Sequence, residues 1–260
     1  MSMQADAERP FFFGADDGLF GMYHAPQLPA RRGVLMCAPL GQDLIRCHRL
    51  YRQLAQALAR EGLAVLRFDY HGTGDSAGGS AEVDWDRCVA DTAVAAAELR
   101  TLARLDRIVA FGARLGGSVA MCAAERARFG EVIAWDPVLD GDGYVTALDA
   151  MQAALREDAE RFTRPRSHAD VAEQWLGFDI ADHLRGQLSA LTVGAPNVPM
   201  LVVDSLPEWD ASRWNGVVSS RGKVAGISPP TPWNDLRRLE TAILSQPLIQ
   251  AVSGRLKESA

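Results

Sequence analysis

Arg107-Ile-Val-Ala-Phe-Gly-Ala-Arg-Leu-Gly-Gly-Ser118 is the stretch from which the rest of the chain is read. Ile108 to Phe111 is an apolar run of the length of a buried strand. The small residues from Gly116 towards Glu125 suit a helix lying close to a sheet. Between them, Gly112 and Gly116 stand two residues to either side of Arg114. This spacing predicts a sharp strand-to-helix turn with Arg114 at its tip, the glycines letting backbones approach closely. A guanidinium stays protonated, has no lone pair for attack and offers five donors in a planar fork. Arg114 is thereby excluded as a nucleophile and becomes a candidate for holding an anionic group.

On the N-terminal side, Phe11-Phe12-Phe13 and Leu19 to Tyr23 flank Asp16-Asp17-Gly18, which predicts a hairpin. Gly33 to Cys37 predicts a strand, followed by the loop Ala38 to Asp43. Leu50, Leu54 and Leu58 recur at helical spacing, with Gly62 just past the end. Leu63 to Phe68 predicts the next strand, running into the glycine-rich turn Asp69-Tyr-His-Gly-Thr-Gly-Asp-Ser76. Trp85, Val89, Ala93, Ala96 and Leu99 mark a second amphipathic helix, and Val132 to Trp135 another strand. Strands alternating with helices predict a mostly parallel central sheet with helices on both faces.

That alternation stops between Gly141 and Pro196. A helix is predicted over 144–162, a break at Thr163-Arg-Pro-Arg166 and a further helix over 168–191. The segment 141–196 is thus expected to be a helical lid inserted over the strand ends. Residues 1–140 and 197–260 would form the one core domain. Pro199 to Asp204 and Lys223 to Ile227 resume the sheet, and a closing helix over 234–257 is interrupted at Pro247.

The 260 residues are 48% apolar, enough for a real core, and carry a formal net charge of -6. An acidic chain lacks the basic footprint of a nucleic-acid binder. No run approaches the ~18 apolar residues of a membrane span, and the first ten residues lack a signal peptide's apolar core. Cys37, Cys47, Cys88 and Cys122 include no close metal pair. With Cys37 in a strand and Cys88 and Cys122 on apolar helix faces, they predict buried, reduced thiols in a cytoplasmic protein. No cofactor or metal is expected.

Asp69-x-x-Gly72-x-Gly74-x-Ser76, the elements in this order and the glycines about Arg114 together resemble the α/β-hydrolase superfamily, near its serine-aminopeptidase-like branch. The resemblance runs from about Phe11 to Gln250. It implies the α/β-hydrolase fold, with Arg114 in the nucleophile elbow where the superfamily holds serine. Gly112-x-Arg114-Leu115-Gly116, Trp135-x-Pro137-Val138 and Trp85 ahead of Asp91 resemble a narrower group, the second of the exosortase A system-associated hydrolases. Members of that group carry arginine at the elbow. The loop after Cys37 departs from it, with Ala38-Pro39 and Gln42-Asp43 in place of Pro-Pro and paired glutamates.

A working triad needs a nucleophile, a histidine and an orienting acid. The acid candidates are Asp204, which closes its strand with Glu208 and Asp210 beyond, and Asp136, one strand earlier. No histidine follows His183, and the loop Ser228 to Asp235, where the fold implies the base, has none. His48 and His183 are candidates near the site, as is His168. His24 is expected to be exposed, and His71 to stabilise its turn. Ser118 and Cys122 share a helix face, as small residues packing against the sheet. A helix starting beyond Arg114 directs unpaired N–H groups at the turn, Leu115 first, and the loop at Leu40 and Gly41 would give a second donor. Asp43, Asp136 or Asp204 would be the internal partner if Arg114 closes a salt bridge. Three readings follow. The first is a degenerate catalytic site that binds, or acts unconventionally on, an acyl or anionic small molecule. The second is a catalytically dead scaffold that binds a partner. The third is an esterase or thioesterase with relocated residues.

Overall fold

The structure is a computed structural model and describes residues 8–158, 174–218 and 222–258. Its strands are β1 (Glu8–Phe13), β2 (Leu19–His24), β3 (Gly33–Cys37), β4 (Ala64–Phe68), β5 (Ile108–Ala113), β6 (Glu131–Trp135), β7 (Gln174–Trp175), β8 (Phe178–Asp179), β9 (Met200–Asp204) and β10 (Lys223–Gly226). Its helices are α1 (Gly41–Arg60), α2 (Trp85–Ala103), α3 (Leu115–Cys122), α4 (Gly141–Glu157), α5 (Asp182–Ser189) and α6 (Gln246–Glu258). All strands but β7 and β8 form one sheet, in the order β1-β2-β4-β3-β5-β6-β9-β10. The β1–β2 and β2–β4 pairs are antiparallel, and every pair from β4–β3 to β9–β10 is parallel.

The strands read as continuous apolar runs because both faces are covered. Along β3, Val34 and Met36 turn to one face, against Leu50, Leu54 and Leu58 of α1 and Leu248 and Val252 of α6. Leu35 and Cys37 turn to the other, against Cys88, Ala95 and Leu99 of α2 and Val119 of α3. The glycine-rich turn after β4 is closed by its own side chains. Asp69 Oδ2 accepts from the Asp75 N–H at 3.0 Å, and the Ser76 hydroxyl donates to the Asp69 carbonyl at 2.6 Å. His71 lies against Glu82, with Nε2 3.5 Å from Oε2, and its N–H donates to Asp91 at 2.9 Å.

Four expectations need correction. Residues 174–179 are not helical. Leu176 and Gly177 both have positive φ (53° and 94°), which closes a tight hairpin between β7 and β8. The residues 159–173, with His168 and the Thr163–Arg166 break, lie outside the described segments. The closing helix begins only at Gln246. Pro247 falls in its first turn, where a missing N–H breaks no intrahelical bond, so it starts the helix and does not interrupt it. His24 is buried, not exposed: it accepts a hydrogen bond from Arg67 Nε at 3.1 Å. Cys122 is exposed at the end of α3, whereas Cys37, Cys47 and Cys88 are buried, and all four thiols are free.

Among the described residues no helix is long and apolar enough to cross a membrane, and no group of three His, Cys, Asp or Glu side chains is set to hold a metal.

Candidate functional site

The turn from β5 into α3 is as tight as its glycines imply. A Cβ on Gly112 would stand 2.3 Å from the Gly116 carbonyl oxygen, and one on Gly116 2.3 Å from that of Cys37. Arg114 caps α3 with φ 51° and ψ -128°. For a residue with a side chain this is a strained conformation, worth of the order of 1–3 kcal/mol. The surroundings hold it there. The Arg114 N–H donates to the Trp135 carbonyl at 2.9 Å. The Tyr51 hydroxyl accepts from the Ala113 N–H and donates to the Cys37 carbonyl, both at 2.9 Å.

The Arg114 side chain lies between two aromatic rings, 5.4 Å from the Tyr144 centroid and 5.3 Å from that of Trp233. One of its terminal nitrogens donates a long hydrogen bond, 3.4 Å, to the Asp136 carbonyl. Nε is 3.5 Å from Asp43 Oδ2 and makes no hydrogen bond of ordinary geometry. Both side chains of this ion pair are only 12–13% exposed. Burial pushes the Asp43 carboxyl above the usual aspartate range, while the charges of Arg114 and Arg46 pull the other way.

Behind Arg114 is a second, fully bonded cluster. Asp136 is completely buried, and its carboxylate accepts from the Ser205 N–H (2.7 Å), the Ser205 hydroxyl and Trp233 Nε1 (2.7 Å). Burial raises its pKa, and these donors and Arg114 oppose the rise. The Ser205 hydroxyl also accepts from Trp135 Nε1 at 2.8 Å. Arg46, another buried cation, donates to the carbonyls of Pro232 and Trp233, both at 2.7 Å, and so clamps the loop that carries Trp233.

In front of Arg114 a narrow cleft opens between the sheet ends and the segment from α4 to α5, its free interior about 40 Å³ inside an envelope of about 580 Å³ that takes in open solvent. Its floor is Leu40, Gly41, Asp43, Arg114 and Leu115. Its walls are apolar, among them Tyr144, Leu148, Trp175, Leu184 and Trp233. The first N–H groups of α1 and α3 have no intrahelical partner, and both helices begin at this floor. The described parts of the covering segment are bonded to one another and to the core. Asp149 of α4 accepts from Trp175 Nε1 (2.8 Å) and Arg185 (2.7 Å), and His183 of α5 bonds the Val83 carbonyl at 3.0 Å.

The residues singled out from sequence therefore separate. Arg114, Leu115, Leu40, Gly41 and Asp43 meet at the cleft floor, and Asp136 lies directly behind it. Asp204 is not among the cleft-lining residues. Its carboxylate is buried and accepts from Trp214 Nε1 and the Leu206 N–H, both at 2.8 Å. His48 lines a separate, smaller pocket with Asp69, and His183 faces the loop ahead of α2. Ser118 is buried and donates to the Val138 carbonyl at 2.5 Å. Sequence reasoning missed Trp233, Tyr144 and Arg46. The signal for Trp233 was its place in the loop after the last strand, where a histidine was sought and not found.

A family model described as serine aminopeptidase, S33, matches residues 45–169. No curated protein matches the sequence. Among solved structures, the hypothetical protein PA2218 from Pseudomonas aeruginosa is similar at 16% identity and TM-score 0.64, over 96% of this chain and 93% of that one. Est1E from Butyrivibrio proteoclasticus, solved with ferulic acid bound, is similar at 17% and 0.62, over 92% and 94%. XC6422 from Xanthomonas campestris, described as an a/b serine hydrolase without lid, is similar at 17% and 0.59, over 97% and 95%. The strand order, the helices on both faces and these likenesses agree: the chain has the α/β-hydrolase fold.

Proposed function

We propose that this chain uses a degenerate catalytic site to bind an acyl-bearing small molecule, with the polar head at Arg114 and the apolar chain in the cleft. In this reading Arg114 takes the nucleophile's place, Trp233 the histidine's and Asp136 the acid's. The observation that carries it is the pair of contacts made by Trp233. Its indole N–H donates to Asp136 as a catalytic imidazole would, and its ring face meets residue 114. An indole has no basic nitrogen, so no proton can be taken from an attacking group. The retained cleft argues for a ligand over a scaffold, because a scaffold has no use for an apolar channel ending on a cation.

The segment 141–196 acts as the lid. The elbow arginine, Trp135, Pro137, Val138 and Trp85 support kinship with the exosortase A system-associated hydrolases, and the free thiols suit the cytoplasm.

The test is a pair of measurements. Short p-nitrophenyl esters should not turn over above buffer, and a fluorophosphonate should label no serine. Acyl compounds should raise thermal stability, by about 2.7 kcal/mol at roughly one hundred times the dissociation constant. Leu184→Trp, which fills the cleft, should abolish that effect. Serine labelling would restore the esterase reading. Absence of any stabilisation by acyl compounds would leave the scaffold.

A further inference from the structure

A bare guanidinium at the end of an apolar cleft would select a carboxylate. This one is not bare. Asp43 Oδ2 stands 3.5 Å from Arg114 Nε, and both residues line the same cleft floor. The separation is too long for a good hydrogen bond, so Arg114 Nε keeps unused donor capacity. Asp43, whose close side-chain partner is Arg114, has carboxylate lone pairs with which to accept from a further donor. A ligand carboxylate within hydrogen-bond reach of Arg114 would lie within about 5 Å of Asp43, and two carboxylates that close disfavour each other's ionisation. A group with both a carbonyl and an N–H satisfies both at once. Its oxygen accepts from Arg114 and its N–H donates to Asp43.

We infer that Asp43 is the specificity-determining residue of this cleft and that it selects a neutral carboxamide head group over a carboxylate. The inference rests on the acyl-binding reading above and adds to it the chemistry of the head group. The other charged or titratable groups facing Asp43 are consistent with this division of roles. Arg46 and Cys47 lie on its own helix, Tyr51 one turn further along it, and Tyr144 comes from α4. Burial raises the pKa of Cys47, Tyr51 and Tyr144 and keeps them neutral. Arg46 donates from both terminal nitrogens to the carbonyls of Pro232 and Trp233 and acts on Asp43 through its charge. Asp136, behind the guanidinium, is fully occupied by Ser205 and Trp233.

Octanamide and octanoate share one chain, so the difference in their affinities reports the head group alone. By calorimetry near neutral pH, the wild type should bind octanamide tighter than octanoate by about tenfold or more. Asp43→Asn should remove or reverse that preference by strengthening octanoate. Arg114→Ala should weaken both. Should Asp43→Asn fail to fold, the wild type alone still decides. Octanoate binding should weaken as pH rises from mildly acid to alkaline, because it takes up a proton, while octanamide binding stays level. A wild type preferring octanoate, an unchanged ratio in folded Asp43→Asn, or parallel pH profiles would overturn the role of Asp43 and leave the acyl-binding reading in place. Binding of neither compound, or binding indifferent to Arg114→Ala and to Leu184→Trp, would overturn that reading and this inference with it.

Discussion

Asp136 and Asp43 flank the same guanidinium, and both are carboxylates that burial makes harder to ionise. Their surroundings are opposite. Asp136 accepts three hydrogen bonds from two residues and is sealed from solvent. Asp43 has one long ion pair and borders an open cleft. A buried carboxylate with both oxygens engaged holds other groups in place, here the loop after β10 and the end of β9. A carboxylate with capacity to spare beside a cleft is available to something that enters. The contrast divides the site into a frame behind Arg114 and a receiving face in front of it.

The largest effect should come from handing the frame its missing chemistry. Arg114→Ser alone supplies a hydroxyl at a strained turn but no base, so it should stay inactive on p-nitrophenyl esters. Trp233→His alone supplies a base but no nucleophile. Combined, the two changes place an imidazole where Asp136 already receives a donor, and positioned general bases contribute about 10²–10⁴-fold. Ester turnover should appear only in the double variant, since such residues act as a unit. Robust hydrolysis by Arg114→Ser alone would mean that a histidine elsewhere already serves the site, and Asp136 would lose its role as the acid.

Next in size is stability. Asp136→Ala strands the Ser205 N–H and the Trp233 indole N–H in a dry interior, while the Ser205 hydroxyl can still donate to Thr231 Oγ1, and each unmet group costs about 1–3 kcal/mol. A loss of about 3–5 kcal/mol in chemical denaturation is expected for this frame residue. Asp43→Ala removes one long, largely buried ion pair but leaves Arg114 its two aromatic rings and the Asp136 carbonyl, so it should cost less, about 1–3 kcal/mol. Equal losses would erase the distinction between frame and receiving face.

The fold, the floor of the receiving face and the acid of the frame were legible in the sequence; the aromatic walls and the donors to Asp136 were not. The mostly parallel sheet followed from apolar runs alternating with helices, and the elbow from glycines whose places admit no Cβ. The loss of the usual chemistry followed from Arg114 and from a loop without histidine. These are local signals, fixed by backbone sterics or by residue type alone. Trp233 and Tyr144 meet Arg114 from other parts of the chain, and single aromatic residues are more often core, so nothing marked Tyr144, and Trp233 was marked only by its loop. The β7–β8 hairpin escaped for another reason. Its turn depends on a positive φ at Leu176, a residue type that rarely adopts one, ahead of Gly177. His24 was misplaced because a lone histidine after an edge hairpin gives no hint that Arg67 and Glu8 will enclose it.

The smallest effect, and the finest probe of the contrast, is the pH dependence of Asp43. Its carboxyl is raised above the ordinary aspartate value of 3.8, first by burial and against the pull of Arg114 and Arg46. The folded state therefore holds the proton more tightly than the unfolded chain does. Stability must then fall as pH rises from the unfolded value through the folded one, and level off above it. Asp69, Asp91 and Asp136 are raised as well, so the wild-type curve alone does not isolate Asp43. The difference between the wild type and Asp43→Asn does, because the other carboxylates cancel. Across that window the wild type should lose stability relative to the variant as pH increases, and the difference should become constant once the pH has passed the folded-state value. Denaturant melts of both proteins at several pH values give the curve directly. A difference that instead grows in favour of the wild type with rising pH would mean that Arg114 stabilises ionised Asp43 by more than burial penalises it. Asp43 would then be a closed structural partner of Arg114, and the receiving face would have no free acceptor to offer.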